Sequence, residues 1–213
     1  MAGAPLVHIV DDDASVRDSL VVLLESAGFT VQAYDSAVAF LQAVSDRTAG
    51  CVLTDVQMPE LNGLELQRRM GKQGIRLPVI VMTGHGDVPT AVEAMKAGAA
   101  DFLEKPFGDE QLLTAVSGAV AINRRVRDEA AAVADTMRRL ATLTPREREV
   151  LGHLVAGQPN KTIAYDLGSS PRTVEVHRAR VMEKMGARSL PELVRMTIAV
   201  TGSVVPPAKP SRR

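Results

Sequence analysis

Five short apolar runs, "LVHIV", "VQAY", "CVLTD", "VIVMT" and "DFLEK", recur through the first half of the chain. Stretches with helical spacing separate them: "SVRDSLVVLLESAG", "AVAFLQAV", "GLELQRRMGKQG" and "PTAVEAMKAG", with "DEQLLTAVSGAVA" after the fifth run. Gly28, Gly74 and Gly98 stand where three of these helices should stop. Parallel strands need crossover connections, and crossover helices cover both faces of the sheet. The alternation therefore predicts an α/β, doubly wound, five-stranded parallel sheet. Sites in such sheets lie outside the carboxyl ends of the strands. Asp11, Asp12 and Asp13 after the first run, Asp55 ending the third, Thr83 ending the fourth and Lys105 after the fifth all fall there.

Three adjacent carboxylates repel. Two unit charges ~4 Å apart cost roughly 1 kcal/mol in water and about 4 kcal/mol at a protein surface. A solvated loop tolerates that, and a hard divalent cation such as Mg²⁺ offsets it with carboxylate ligands. A carboxylate placed like Asp55 beside an acidic pair can hold Mg²⁺ and attack a phosphoryl group. Such transfer relies on positioning and electrostatics around the phosphoryl oxygens. Lys105 in "EKPF" offers a cation and Thr83 in "MTGHG" a hydroxyl, while Gly84 leaves room. A phosphatase with its nucleophile in a D-x-D motif on the first strand is the enzymatic alternative. Asp11 and Asp13 have that spacing, but Asp55 would then have no role and the following Gly-Thr is missing.

The second half differs in charge. Residues 1–121 hold 8 Lys+Arg and 16 Asp+Glu, a net −8, whereas residues 122–213 hold 17 and 9, a net +8. That split points to two domains, the second facing a polyanion. Between them Val126, Ala130, Val133, Met137 and Leu140 follow a 4-3-4-3 spacing, so the linker reads as a helix with an apolar seam. Packing of the seam on the protein's own domains is the favoured reading, and a dimeric coiled coil is the alternative. Four more helical stretches follow, the first opened by Thr144, Pro145 and Glu147 in a capping-box pattern.

"NKTIAYDLGSSPRTVEVHRARVMEKMG" reads as helix, short turn, helix. Val174, Val181 and Met185 share the core face of its second helix. Arg172, Thr173, Glu175, Val176, His177, Arg178, Arg180 and Lys184 are the candidate DNA contacts, and Ala179 also lies off the core face. The basic members suit phosphates. Glu175 suits a cytosine amino group or repels phosphate.

"VDDD", "DVQMPELNG", "MTGHG" and "EKPF", in this order and spacing, resemble the receiver domain of two-component response regulators. The resemblance implies a flavodoxin-like fold in which Asp55 is phosphorylated by a sensor histidine kinase. It implies Mg²⁺ held by Asp12, Asp55 and the Gln57 backbone carbonyl, with Asp11 acting through water. Lys105 and Thr83 would contact the phosphoryl group and Phe102 would be the switch aromatic, while Gln57 and His85 would tune hydrolysis. Asp13 takes a supporting role. "LTPREREVL" together with "SPRTVEVHRARVMEKMG" resembles the LuxR-type DNA-binding domain. With "TGHGDVP", the chain is similar to the nitrogen-fixation branch of the response regulators. That branch implies an oxygen-sensing haem kinase, RNA polymerase and promoter DNA as partners, with a homodimer forming on phosphorylation.

The expected organisation is a receiver over 5–121, a helical linker over 122–142, a helix-turn-helix domain over 143–200 and a disordered tail over 201–213. The single Cys51 excludes an internal disulfide and a cysteine-based zinc site. No run approaches the ~20 apolar residues of a membrane span, and the start lacks a signal-peptide pattern. A reducing cytoplasm is the expected location.

Overall fold

The computed structural model describes residues 4–84 and 88–201, with the side chain of Val88 excepted. His85 and residues 202–213, on which part of the expected tail falls, lie outside the described residues. The chain divides into two compact units, Met1–Arg127 and Asp128–Arg213.

The first unit alternates β1 (Leu6–Val10), α1 (Ala14–Ser26), β2 (Thr30–Tyr34), α2 (Ala37–Ala43), β3 (Cys51–Asp55), α3 (Gly63–Lys72), β4 (Val79–Thr83), α4 (Val88–Lys96), β5 (Asp101–Glu104) and the start of α5 (Asp109–Ala141). All four strand pairings are parallel, in the order β2-β1-β3-β4-β5. Strand period two sorts the apolar residues onto two faces. Val10, Val52, Val79 and Val81 pack with Phe40 of α2, Leu66 and Met70 of α3 and Ala94 of α4. Val7, Ile9, Leu53, Ile80 and Met82 pack with Leu20 and Leu24 of α1 and Leu112, Ala115 and Val116 of α5. Both faces are covered, as the sequence alternation predicts. Strand order reverses between β1 and β3, and this switch point is where a parallel sheet opens a crevice.

The second unit holds α6 (Pro145–Val155), α7 (Asn160–Asp166), α8 (Pro171–Met185) and α9 (Leu190–Thr201) around Val150, Leu154, Ile163, Val174, Val181, Met185 and Leu193. The capping box forms: Thr144 and Glu147 exchange both of their bonds at the start of α6. α9 extends through Thr201, whose hydroxyl donates to the Thr197 carbonyl.

The linker is not a separate element. It is the C-terminal part of the 33-residue α5, and the two units divide within that helix. Asn123 is buried in the first unit, where its amide accepts from Gly50 N (3.1 Å) and donates to the Arg76 carbonyl (3.5 Å). Thr136 is buried, and Leu140 packs on the second unit's core. The seam does not pack as expected. Val126 and Met137 are 42% and 51% exposed, Ala130 is exposed, and only Leu140 joins a core. Heptad spacing creates an apolar stripe, but it carries no information about what covers that stripe.

Candidate functional site

Just past β1 come the buried Asp11 and the exposed Asp12. β3 ends in the half-buried Asp55. Carboxylate oxygens of Asp11, Asp12 and Asp55 lie within 4.8 Å of one another. Lys105, just past β5, places its Nζ 3.1 Å from Asp11 Oδ2 and 3.4 Å from Asp55 Oδ1. Backbone bonds fix this rim: Lys105 N donates to the Thr83 carbonyl (2.7 Å) and Val56 N to the Met82 carbonyl (2.8 Å). Arg17 on α1 donates to the Asp11 carbonyl at 2.8 Å, adding a second cation behind the acids. Burial pushes the Asp55 carboxyl above its ordinary value; Lys105 opposes this and Asp11 adds to it.

A hard-oxygen donor set of three carboxylates in this space fits a divalent cation such as Mg²⁺. Asp11 Oδ1 is held by Asp13 N at 2.9 Å. Asp13 itself turns away: its side chain accepts from Ser15 N (2.8 Å) and Val16 N (3.4 Å) as the N-cap of α1. The supporting role expected of Asp13 is thus a capping role, and the D-x-D phosphatase alternative loses one of its two acids to that cap. The signal was present in the sequence, since an Asp directly before a helix is a favoured N-cap.

Thr83 is buried at the end of β4. Gly84 faces open space, where an added Cβ would meet no atom within 4 Å. Gln57 is exposed two residues past Asp55. Phe102 is partly buried against the core, and it lines a groove of about 470 Å³ with Asp101, Gly108, Gln111 and Thr114.

In the second unit α7, a short turn and α8 form the helix-turn-helix. Ser170 caps α8, accepting from Thr173 N at 3.1 Å, and Gly186 closes it in a left-handed conformation. The eight candidate DNA contacts separate by environment. Arg172, Glu175 and Val176 line one open groove with Ala179, and Arg180 is exposed. The Thr173 hydroxyl is 2.8 Å from the Ser170 hydroxyl, so it belongs to the cap. His177 is half-buried, with Nδ1 unpartnered, and Arg178 donates to Asn160 Oδ1 at 3.4 Å. Lys184 is committed elsewhere: its Nζ lies 2.6 Å from Glu147 Oε2 and 3.3 Å from the Thr142 carbonyl. The Lys184 ammonium and the Thr144 amide hold the Glu147 carboxyl down at about 2.

Residues 7–117 match the response regulator receiver domain, and residues 141–197 match the luxR family of bacterial regulatory proteins. The transcriptional regulatory protein FixJ of Azorhizobium caulinodans is 55% identical over 192 residues, covering 90% of this chain and 91% of that protein. FixJ of Rhizobium meliloti is 54% identical over 197 residues, covering 91% and 95%. Among solved structures, the response regulator StyR matches with a TM-score of 0.81 at 40% identity, covering 92% of this chain and 98% of that one. Full-length FixJ from B. japonicum matches at 0.59 and 48% identity, covering 95% and 100%. The chain belongs to the two-component response regulators, carrying a receiver domain and a LuxR-type DNA-binding domain. Within them it is FixJ-like, a regulator of transcription.

Proposed function

We propose that Asp55 accepts a phosphoryl group from a sensor histidine kinase and that this modification switches promoter binding by the second unit. One observation carries the reading: Asp11, Asp12 and Asp55 converge within 4.8 Å, with Lys105 bridging Asp11 and Asp55. Asp11, Asp12, Asp55 and the Gln57 carbonyl would hold Mg²⁺. When bound, such an ion would supply neutralising positive charge beside the phosphoryl oxygens. Asp55 attacks phosphorus as the carboxylate, forming an O–P bond as the P–N bond to the kinase's phosphohistidine breaks and the imidazole leaves. Lys105 stabilises the charge on the phosphoryl oxygens, and the Thr83 hydroxyl with Gly84 completes the pocket. Slow self-dephosphorylation is the only turnover assigned to the protein.

The rest of the reading rests on family likeness. Phosphorylation adds roughly −1.5 to −2 charge. Thr83 and Phe102 then rearrange, and the face of α4 and β5 becomes the homodimer surface. Val92 and Met95 on α4, exposed at 43% and 52%, support an apolar contact there. The dimer engages half-sites about one helical turn apart and recruits RNA polymerase as an activator. Likeness to FixJ supports a FixL-type oxygen-sensing haem kinase as donor and nitrogen-fixation genes, expressed at low oxygen, as targets. No described helix is long and apolar enough to cross a membrane, and the proposed site of action is the cytoplasm. We assign residues 5–121 to the phosphoacceptor domain, 122–142 to the connecting helix and 143–200 to DNA binding.

The test is phosphotransfer from a small acyl phosphate with Mg²⁺, followed by mass spectrometry. Labelling at Asp55, lost in Asp55→Asn and without Mg²⁺, is the expected result. Undiminished labelling of Asp55→Asn overturns the assignment.

A further inference from the structure

We propose that Glu175 selects a cytosine in the bound DNA, its carboxylate accepting from the cytosine amino group, while Val176 and Ala179 rest on the methyl group of a neighbouring thymine. The inference deepens the reading of α8 as the helix that enters the major groove, and it rests on that reading.

The core face of α8 is fixed by Val174, Val181 and Met185, each at most 1% exposed. Arg172, Glu175, Val176 and Ala179 follow the spacing i, i+3, i+4, i+7, so they share one face. They line a single open groove of about 610 Å³. Arg172 and Glu175 are three residues apart and opposite in charge, a spacing at which ion pairs form readily on helices. Among the described residues neither has an ion-pair or hydrogen-bond partner. Three other acids of this unit are paired, Asp135 with Arg138 and Arg139, Glu147 with Lys184 and Glu149 with Arg146, whereas the exposed Glu183, also on α8, lies off the Arg172–Ala179 groove. Glu175 thus presents an unpaired carboxylate from the surface that approaches a polyanion.

Against phosphates alone that carboxylate only repels, since backbone binding is carried by Lys and Arg. In the major groove it needs a donor, and only adenine and cytosine offer amino groups there. The adenine amino group lies between two acceptors, its own N7 and the O4 of the paired thymine. Both repel a carboxylate. The cytosine amino group has an acceptor on one side only, the O6 of the paired guanine, and its other side is a C–H edge. Cytosine is therefore the preferred partner. Val176 (46% exposed) and Ala179 carry no hydrogen-bonding group beside it, and the apolar feature of the major groove is the thymine methyl. One helical turn advances ~5.4 Å and one base step ~3.4 Å. The thymine then lies one or two base pairs from the cytosine.

The test is selection by the full-length protein, treated with a small acyl phosphate, from a randomised duplex pool, followed by titrations at fixed salt. Wild type should enrich half-sites with cytosine at one position. Glu175→Gln should move that preference to adenine, because an amide pairs with the amino group and N7 of adenine together. Glu175→Ala should flatten it, lowering discrimination roughly 5- to 150-fold, and should raise affinity for a scrambled duplex. Uracil in place of the neighbouring thymine removes only a methyl group and should weaken wild-type binding more than that of Val176→Ala. Enrichment of the same base at every position by wild type and Glu175→Gln overturns the assignment of Glu175. Equal uracil effects in wild type and Val176→Ala overturn the methyl contact. If wild type enriches no sequence, the DNA-binding reading itself fails.

Discussion

Gly63 lies against the backbone of Asp55: a Cβ built on Gly63 would sit 2.2 Å from the Asp55 carbonyl oxygen. The approach is held by Gly63 N donating to the Val56 carbonyl at 3.1 Å. The first residue of α3 therefore fixes the height of the strand end that carries the proposed phosphoacceptor. Gly63→Ala cannot be absorbed by a flexible side chain, because the clash is with backbone. The expected cost is about 1–3 kcal/mol, typical of overpacking, measured by urea unfolding of the first unit's signal. Labelling of Asp55 by acyl phosphate should slow as well. Wild-type stability and labelling would show that the strand end shifts without consequence.

Lys105 stands between Asp11 and Asp55 at 3.1 and 3.4 Å. Lys105→Met removes the cation and leaves the two carboxylates facing each other. A charge-assisted hydrogen bond contributes about 1.5–3 kcal/mol, and tenfold in rate is about 1.4 kcal/mol. Labelling should therefore slow by roughly 10- to 100-fold. Mg²⁺ affinity should move the other way and tighten, because the resident cation no longer competes. The chain has no Trp, so isothermal titration calorimetry is the suitable readout. Weaker Mg²⁺ binding in the variant would contradict the competition.

The sheet was legible because its signal is local. "VIVMT" is buried at every position of β4, as a strand covered on both faces must be. The convergence at the strand ends followed from topology alone, since Asp11, Asp55, Thr83 and Lys105 each end or follow a strand. Contacts between distant residues were not legible. The Thr144–Glu147 capping box follows from spacing, yet the second partner of Glu147 is Lys184, 37 positions away. Lys184 looked like a free cation on a basic helix. Asn123 looked like linker, but it bonds to Gly50 across 73 positions. Spacing reports which residues share a helix face; it does not report which distant group meets them.

Cys51 lies in the middle of the sheet and is fully buried, and burial pushes its thiol up to about 12. The thiolate is the reactive form, so native protein should not react with a thiol reagent such as dithionitrobenzoate at pH 8. One equivalent should react after unfolding in urea. Rapid reaction of the folded protein would place Cys51 at a surface.

The Glu147–Lys184 pair sets a pH dependence. The folded carboxyl is held at about 2, against an ordinary value of 4.5. A depressed folded value means that the unfolded chain binds the proton more readily, so the contribution is complete above pH 4.5 and declines as pH falls towards 2. Lys184→Met should lower the melting temperature of the second unit at pH 7. The gap from wild type should narrow as pH falls through that window. A gap of constant size down to pH 2 would mean that Lys184 acts through packing and not through Glu147.

Arg139 joins the end of α5 to the end of α8. Its Nη1 donates to the Met185 carbonyl at 2.8 Å, while its Nε is held by Asp135 at 2.7 Å. A cation at a helix C-terminus meets the negative end of the helix dipole and satisfies an orphan carbonyl. The next residue, Gly186, has φ 64, and a Cβ there would sit 1.8 Å from Arg139 Nη1. Gly186→Ala therefore incurs two separate costs. One is the left-handed backbone, about 1–2 kcal/mol. The other is displacement of the guanidinium, whose half-exposed bond contributes on the order of 1 kcal/mol. A double-mutant cycle separates them. In an Arg139→Ala background only the backbone cost remains, so Gly186→Ala should be less destabilising there by about 1 kcal/mol. A two-unit chain need not unfold in one step, so the readout is native-state hydrogen exchange of amides in 181–190. Strict additivity of the two substitutions would show that the guanidinium moves aside freely and does not clasp the end of α8.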